Sequence, residues 1–216
     1  MQLNFNEVQT IFSRFEKINK NPVGELYHFS AFTLLIAVVL SAQATDISVN
    51  KATKLLFKNI STPSDIIQMG ESKLTTYVKS IGLYKNKARN IVKLSEILIS
   101  RYAGIVPSSR SALQSLPGVG RKTANVVLNI WFGLSSQAVD THIFRVGNRT
   151  GIAAGKDVLL VERAIEDNIP AEFQKNAHNW LILHGRYTCK SRKPSCKTCC
   201  ILDLCNFKEK YFGQKI

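Results

Sequence analysis

The sequence predicts an all-α fold. Apolar residues recur at spacings of three and four almost throughout the 216 residues, and no stretch alternates in the manner of a half-buried strand. The connections between the periodic stretches are short and carry Gly or Pro. With 45% hydrophobic residues, a chain of this length can bury one large core or two small ones, and it reads as globular rather than disordered. No internal repeat or low-complexity tract breaks the pattern.

Phe5, Val8, Ile11, Phe12, Phe15 and Ile18 mark one face of a first helix. Glu25 to Leu40 is nearly all apolar and predicts a central helix. Its longest apolar run, Ala31 to Leu40, is too short to cross a bilayer and suits a buried core. Asp46 to Ile60 has the pattern of a helix packed at the surface. Thr62 and Pro63 then supply an N-cap and a first-turn proline for the next helix. Further helices are expected over Glu71 to Ser80, Lys85 to Tyr102, Ser109 to Ser115, Lys122 to Phe132, Thr141 to Thr150, Val158 to Asp167 and Ala171 to Tyr187.

The N-terminal residues, Met1 to Glu7, lack a basic segment followed by an apolar one, so no export signal is visible and a cytoplasmic protein is expected. The charge balance points to a partner. Lys and Arg number 29 against 15 Asp and Glu, for a formal net charge of +14. Such an excess favours a polyanion, because each phosphate neutralised by a cation releases condensed counterions. A solvated basic surface is the plainer alternative, and charge by itself says nothing about chemistry.

The first sharp motif runs from Leu113 to Ala124. A helical stretch ends, Pro117-Gly118-Val119-Gly120 makes a turn, and a new helix begins. Glycines at 118 and 120 let the backbone take positive φ and approach a ligand closely. Amides at the start of the next helix can then bind a phosphate without reading a base, which makes Gly118, Val119 and Gly120 candidate contacts. The alternative is a plain connection between helices. Lys122, just inside the second helix beside Arg121, is electrostatically misplaced, since the positive end of the dipole repels it. It is a candidate nucleophile or, more commonly in a basic protein, a phosphate ligand. Asp140 precedes Thr141-His142-Ile143 and can cap a helix or stabilise developing positive charge; the two roles are compatible.

All five cysteines fall between Cys189 and Cys205. Cys189, Cys196, Cys199 and Cys205 are separated by six, two and five residues and can wrap one small metal site. Four thiolates suit tetrahedral zinc or a [4Fe-4S] cluster, and the spacing separates the two poorly. Cys200 stands outside the pattern, in keeping with a buried free cysteine. Lys190, Arg192 and Lys193 lie in the first gap, where a folded loop would fix them against a nucleic-acid backbone.

The segment Leu116-Pro-Gly-Val-Gly-Arg-Lys-Thr-Ala124 resembles the helix-hairpin-helix of the base-excision DNA glycosylases. With Val139-Asp140-Thr141-His142 after it, the chain resembles the endonuclease III family in particular. The similarity runs from the block Leu40-Ser-Ala-Gln43-Ala-Thr-Asp46 to the last cysteine.

The resemblance implies two helical lobes with a DNA cleft between them. One covers residues 23–133 and contains the hairpin (109–133); the other joins 1–22 to 134–216 and ends in the cysteine loop. It implies Lys122 as the nucleophile and Asp140 as its electrostatic partner. Gln43 and Leu83 become the residues that fill the gap left by a flipped base, with Gly82 forming the tight turn under Leu83. The four-cysteine set becomes the seat of a [4Fe-4S] cluster. The expected partner is double-stranded DNA with oxidised pyrimidines or abasic sites, met by a monomer associated with the nucleoid and not with a membrane. An adenine-mismatch glycosylase is the alternative enzyme, though such enzymes usually lack the hairpin lysine. A non-catalytic iron–sulfur DNA-binding protein would need the hairpin but not Lys122 with Asp140.

Overall fold

The structure, a computed structural model, describes residues 2–212. Among these residues it contains ten α-helices and no strand. They are α1 (Phe5–Ile18), α2 (Ala31–Ser41), α3 (Asp46–Leu56), α4 (Pro63–Val78), α5 (Tyr84–Tyr102), α6 (Arg110–Gln114), α7 (Arg121–Ile130), α8 (Thr141–Thr150), α9 (Val158–Asn168) and α10 (Ala171–Leu183). None of the described helices is long and apolar enough to cross a membrane. The chain divides into two compact units. One is Glu25–Gly133, and the other joins the residues up to Gly24 to those from Leu134 onward.

The unit Glu25–Gly133 is organised on α2, whose residues from Phe32 to Leu40 are all buried. Helices α3, α5 and α7 pack against it. The helix starts at Ala31 rather than at Glu25, which the apolar pattern had indicated. Ser30 and Thr33 form a reciprocal cap there: Thr33 N–H donates to Ser30 Oγ at 3.1 Å and Ser30 N–H donates to Thr33 Oγ1 at 2.9 Å. Satisfying these donors by side chains fixes the first turn and leaves the preceding apolar residues outside the helix. Helix α4 is interrupted at Gly70 (φ 74°, ψ 159°), so a second helical stretch starts at Glu71.

In the other unit, Phe12 of α1 is fully buried and stacks on Phe173 of α10 at a centroid distance of 5.9 Å. Trp180 lies 6.1 Å from Phe12 and donates its indole N–H to Asn19 O at 2.8 Å. Burying one such aromatic contributes about 1.5–3 kcal/mol by area alone. Ile143 and Val146 of α8 and Val161 and Ile165 of α9 complete this core. The last predicted helix was expected to reach Tyr187. Instead α10 ends at Leu183 and the chain widens into a π-helical turn, His184–Thr188, closed by Cys189 N–H to His184 O at 2.7 Å. Gly185 lies so near α8 that a Cβ there would come within 2.9 Å of His142 Cβ. This close approach carries the chain from the core to Cys189.

Candidate active site and cysteine loop

The hairpin is shaped from below by apolar side chains. Leu113, Leu116 and Val119 are all buried, and Val119 N–H donates to Leu116 O at 3.1 Å. Val119 therefore anchors the turn, with its side chain in the core. Gly118 has φ 80°, and a Cβ there would meet Asn90 Cβ at 3.1 Å, so the position needs glycine on both counts. Gly120 does not take positive φ. It is extended (φ −84°, ψ 177°) and acts as the N-cap of α7 with no side-chain hydrogen bond. Helices α1, α2, α3, α4, α6, α8 and α9 each have a side-chain cap. An N-terminus without one keeps its positive end for an anion. Lys122 is the second residue of α7 and is exposed, as is Arg121.

Gln43 and Leu83 share an uncommon backbone conformation. Ala44 N–H donates to Ser41 O at 3.0 Å, closing a turn in which Ala42 has φ −57° and ψ 116° and Gln43 has φ 54°. These are the angles of a type II turn, with glutamine at the position that normally takes glycine. Leu83 has φ 59° and ψ 26° and is 60% exposed. The left-handed residue is Leu83 itself and not Gly82, which corrects the expectation of a glycine turn beneath the wedge. Gly82 borders the other loop: a Cβ there would lie 3.8 Å from Gln43 O. Gln43 and Leu83 are thus carried on adjoining loops.

Asp140 caps α8. Its Oδ1 accepts from His142 N–H at 2.9 Å and from Ile143 N–H at 2.8 Å. The same helix holds the cysteine loop. Arg145 donates from Nε to Cys189 O at 3.0 Å and from Nη2 to Gly185 O at 2.8 Å. Arg149 donates to Lys190 O at 2.7 Å and to Ser191 O at 2.9 Å, with its guanidinium 4.4 Å from the centroid of the Phe207 ring. Lys190, Arg192 and Lys193 are all exposed, and Lys193 has φ 49°.

Cys189, Cys196, Cys199 and Cys205 line one open-sided recess together with His184, Pro194 and Leu202. Cys200 is outside it. Its carbonyl accepts from Arg14 Nη1 at 2.8 Å, and Arg14 in turn pairs with Asp203. Burial pushes the Cys199 thiol up to about 11 and raises those of Cys205 and Cys200. Among the described residues, no three such side chains are gathered closely enough to hold a single metal ion. Zinc needs all four sulfurs about 2.3 Å from one point. In a [4Fe-4S] cube each iron takes its own thiolate, so the ligands stand further apart around a larger volume. Four thiols around one recess are the donor set that such a cluster takes.

Residues 36–171 match the HhH-GPD superfamily of base excision DNA repair proteins. Endonuclease III of Escherichia coli (strain K12) is 56% identical over 200 residues, covering 93% of this chain and 95% of that protein. The chain belongs to the endonuclease III family. Endonuclease III of Rickettsia conorii is 54% identical over 208 residues, covering 96% and 98% of the two chains. A solved structure of a trapped endonuclease III–DNA covalent intermediate, in an estranged-adenine complex, superposes with a TM-score of 0.86. It is 46% identical and covers 94% of this chain and 96% of that one.

Within this endonuclease III chain, Lys122, Gln43 and Leu83 fall in the unit Glu25–Gly133, and Asp140 and the cysteines in the other. Sequence reasoning missed Arg145 and Arg149. The sequence shows only two arginines four apart on the helix that Asp140 opens; their partners, carbonyls some forty residues away, appear only in the structure.

Leu83→Gly is expected to raise stability by about 1 kcal/mol, because glycine takes a left-handed φ without steric cost. Urea unfolding checks this. A lowered midpoint would show that the contacts of the Leu83 side chain outweigh the strain it carries.

Proposed function

We propose that this endonuclease III removes oxidised pyrimidines from duplex DNA and then cleaves the strand 3′ to the abasic site, with Lys122 as the nucleophile. The observation that carries the reading is an exposed lysine in the first turn of a helix whose N-terminus has no side-chain cap. The trapped covalent intermediate of a relative supports covalent chemistry in the family.

In the proposed sequence, a proton leaves the Lys122 ammonium and Nζ attacks C1′ of the damaged nucleotide. The N-glycosylic bond breaks and its electron pair departs with the base, which takes up a proton. The sugar ring opens to leave a Schiff base between Nζ and C1′. Loss of a proton from C2′ then expels the 3′ phosphate by β-elimination, and water releases the enzyme. The Asp140 carboxylate stabilises the positive charge that develops at the sugar and assists deprotonation of the amine. Its two amide bonds hold it still, so little reorganisation is needed when that charge appears.

The target base must leave the stack before any of this can occur. Gln43 and Leu83 fill the gap it leaves, Leu83 as an apolar wedge and Gln43 as a polar partner for the bases around it. The Gly118–Gly120 backbone at the head of α7 holds a phosphate, and Lys190, Arg192 and Lys193 hold others without reading sequence. Cys189, Cys196, Cys199 and Cys205 carry a [4Fe-4S] cluster whose chemistry here is structural: bound, it supplies the positive charge that four thiolates need. Arg145 and Arg149 orient the loop toward it. The enzyme works in the cytoplasm, on the nucleoid.

Lys122→Gln is expected to keep binding to damaged duplex but to lose base excision, strand cleavage and the borohydride-trapped adduct together, since all three pass through one intermediate. Asp140→Asn should leave a slower enzyme that is still trapped. Normal excision by Lys122→Gln would make water the nucleophile; loss of DNA binding alone would make Lys122 a phosphate ligand.

Purified protein should be brown and contain iron and sulfide in equal amounts. Cys200→Ser should leave the visible absorption intact and Cys199→Ser should bleach it. Colourless, zinc-loaded protein with full activity would end the cluster proposal.

A further inference from the structure

Lys87 is a buried lysine that none of the steps above uses. Only 6% of it is exposed, although it lies on α5 among residues whose pattern reads as a half-solvated helix. Its Nζ donates to Leu40 O at 2.9 Å and to Ala42 O at 2.6 Å. Both acceptors sit at the C-terminal end of α2, where carbonyls lack intrahelical partners and a cation meets the negative end of the dipole. Ala42 is the residue immediately before Gln43. The backbone N–H of Lys87 donates to Leu83 O at 3.1 Å, closing the first turn of α5.

One residue is therefore bonded on both sides of the pair, by its side chain to the turn that carries Gln43 and by its backbone to Leu83 itself. Gly82, between the two loops, lies where a Cβ would be 3.8 Å from Gln43 O. Burying an ammonium against neutral carbonyls is a costly way to close a helix end, and burial accordingly pushes its pKa down from the ordinary lysine value. What the arrangement provides is geometry. A three-donor head on a long stem ties the end of α2 to α5 just where two residues must hold left-handed conformations.

We infer that Lys87 is a positioning residue for base extrusion, holding the loops of Gln43 and Leu83 in register so that both enter the vacated stack together. The inference rests on the gap-filling roles proposed above for those two residues.

The test pairs Lys87→Met, which keeps the apolar stem and removes the ammonium, with the double variant Gln43→Ala/Leu83→Ala. Two readouts serve: kcat/KM on a thymine-glycol duplex, and the fluorescence of 2-aminopurine placed opposite the lesion, which reports unstacking. Lys87→Met is expected to lose about 10- to 100-fold in kcat/KM, the scale of a displacement of about 1 Å in a positioning group. The fluorescence rise should fall with it. Affinity for undamaged duplex and its salt dependence should not change, because a buried lysine neutralises no phosphate. Added to the double variant, Lys87→Met should cost less than about a further threefold, as expected of groups acting as one unit.

A normal signal from Lys87→Met beside a reduced one from the double variant overturns the role of Lys87. A normal signal from the double variant overturns the gap-filling reading beneath it. If Lys87→Met does not fold, Lys87→Gln, with one amide donor on a shorter stem, is read in the same assays with the same expectations.

Discussion

Gln43, Leu83 and Lys193 are held with φ between 49° and 59°, a conformation that side-chain-bearing residues avoid. Each such residue costs on the order of 1–3 kcal/mol and persists only where the surrounding structure over-determines it. The surroundings differ, but the logic is shared. Gln43 hangs from the end of α2, a helix buried along its length and closed by the Lys87 ammonium. Leu83 heads α5 beside the same turn. Lys193 lies in a loop whose neighbouring carbonyls are gripped by Arg149. Ala103, at the C-terminus of α5, shares the conformation without such a role; the other three are exposed, are proposed here to meet DNA, and are supported by the elements beside them. Preorganisation of this kind means that the loops need not be ordered at the moment of binding.

Helix α8 does a parallel task in the other unit. At its first turn Asp140 is both cap and catalytic candidate, and the cap fixes the carboxylate through two amides. Along its length, Arg145 and Arg149 reach carbonyls of the π turn and the cysteine loop. The close approach of Gly185 to His142 brings that turn against the helix. Helix α8 therefore holds the Asp140 carboxylate at its start and, through Arg145 and Arg149, the chain at Gly185 and at Cys189 to Ser191.

Much of this was legible in the sequence because helices announce themselves by period and cap. The bounds of α1, α8 and α9 follow from apolar spacing, and the structure caps their starts with Asn4, Asp140 and Asp157. The false start of α2 shows the limit: Leu26, Tyr27 and Phe29 are apolar, but the Ser30–Thr33 cap outweighs periodicity. At the site, residue types were readable and backbone geometry was not. The glycine of Ile81-Gly82-Leu83 looked like the source of the turn, yet the left-handed angle falls on the leucine. Val119 looked like part of a phosphate loop, and its buried side chain, which anchors that loop from the core, was not foreseen. Lys87, Arg145 and Arg149 escaped notice because their partners are backbone carbonyls, which leave no mark in a sequence. The cysteine spacing could not separate zinc from a cluster, because both take four thiolates.

The central claim is that the amine of Lys122 bonds to the sugar. The most direct measurement is to trap the unaltered protein on thymine-glycol duplex with borohydride, digest the adduct, and locate the modified residue by mass spectrometry. The account predicts a reduced sugar adduct on the single peptide containing Lys122. An adduct on the N-terminal amine or on another lysine, or excision without any adduct, would contradict it.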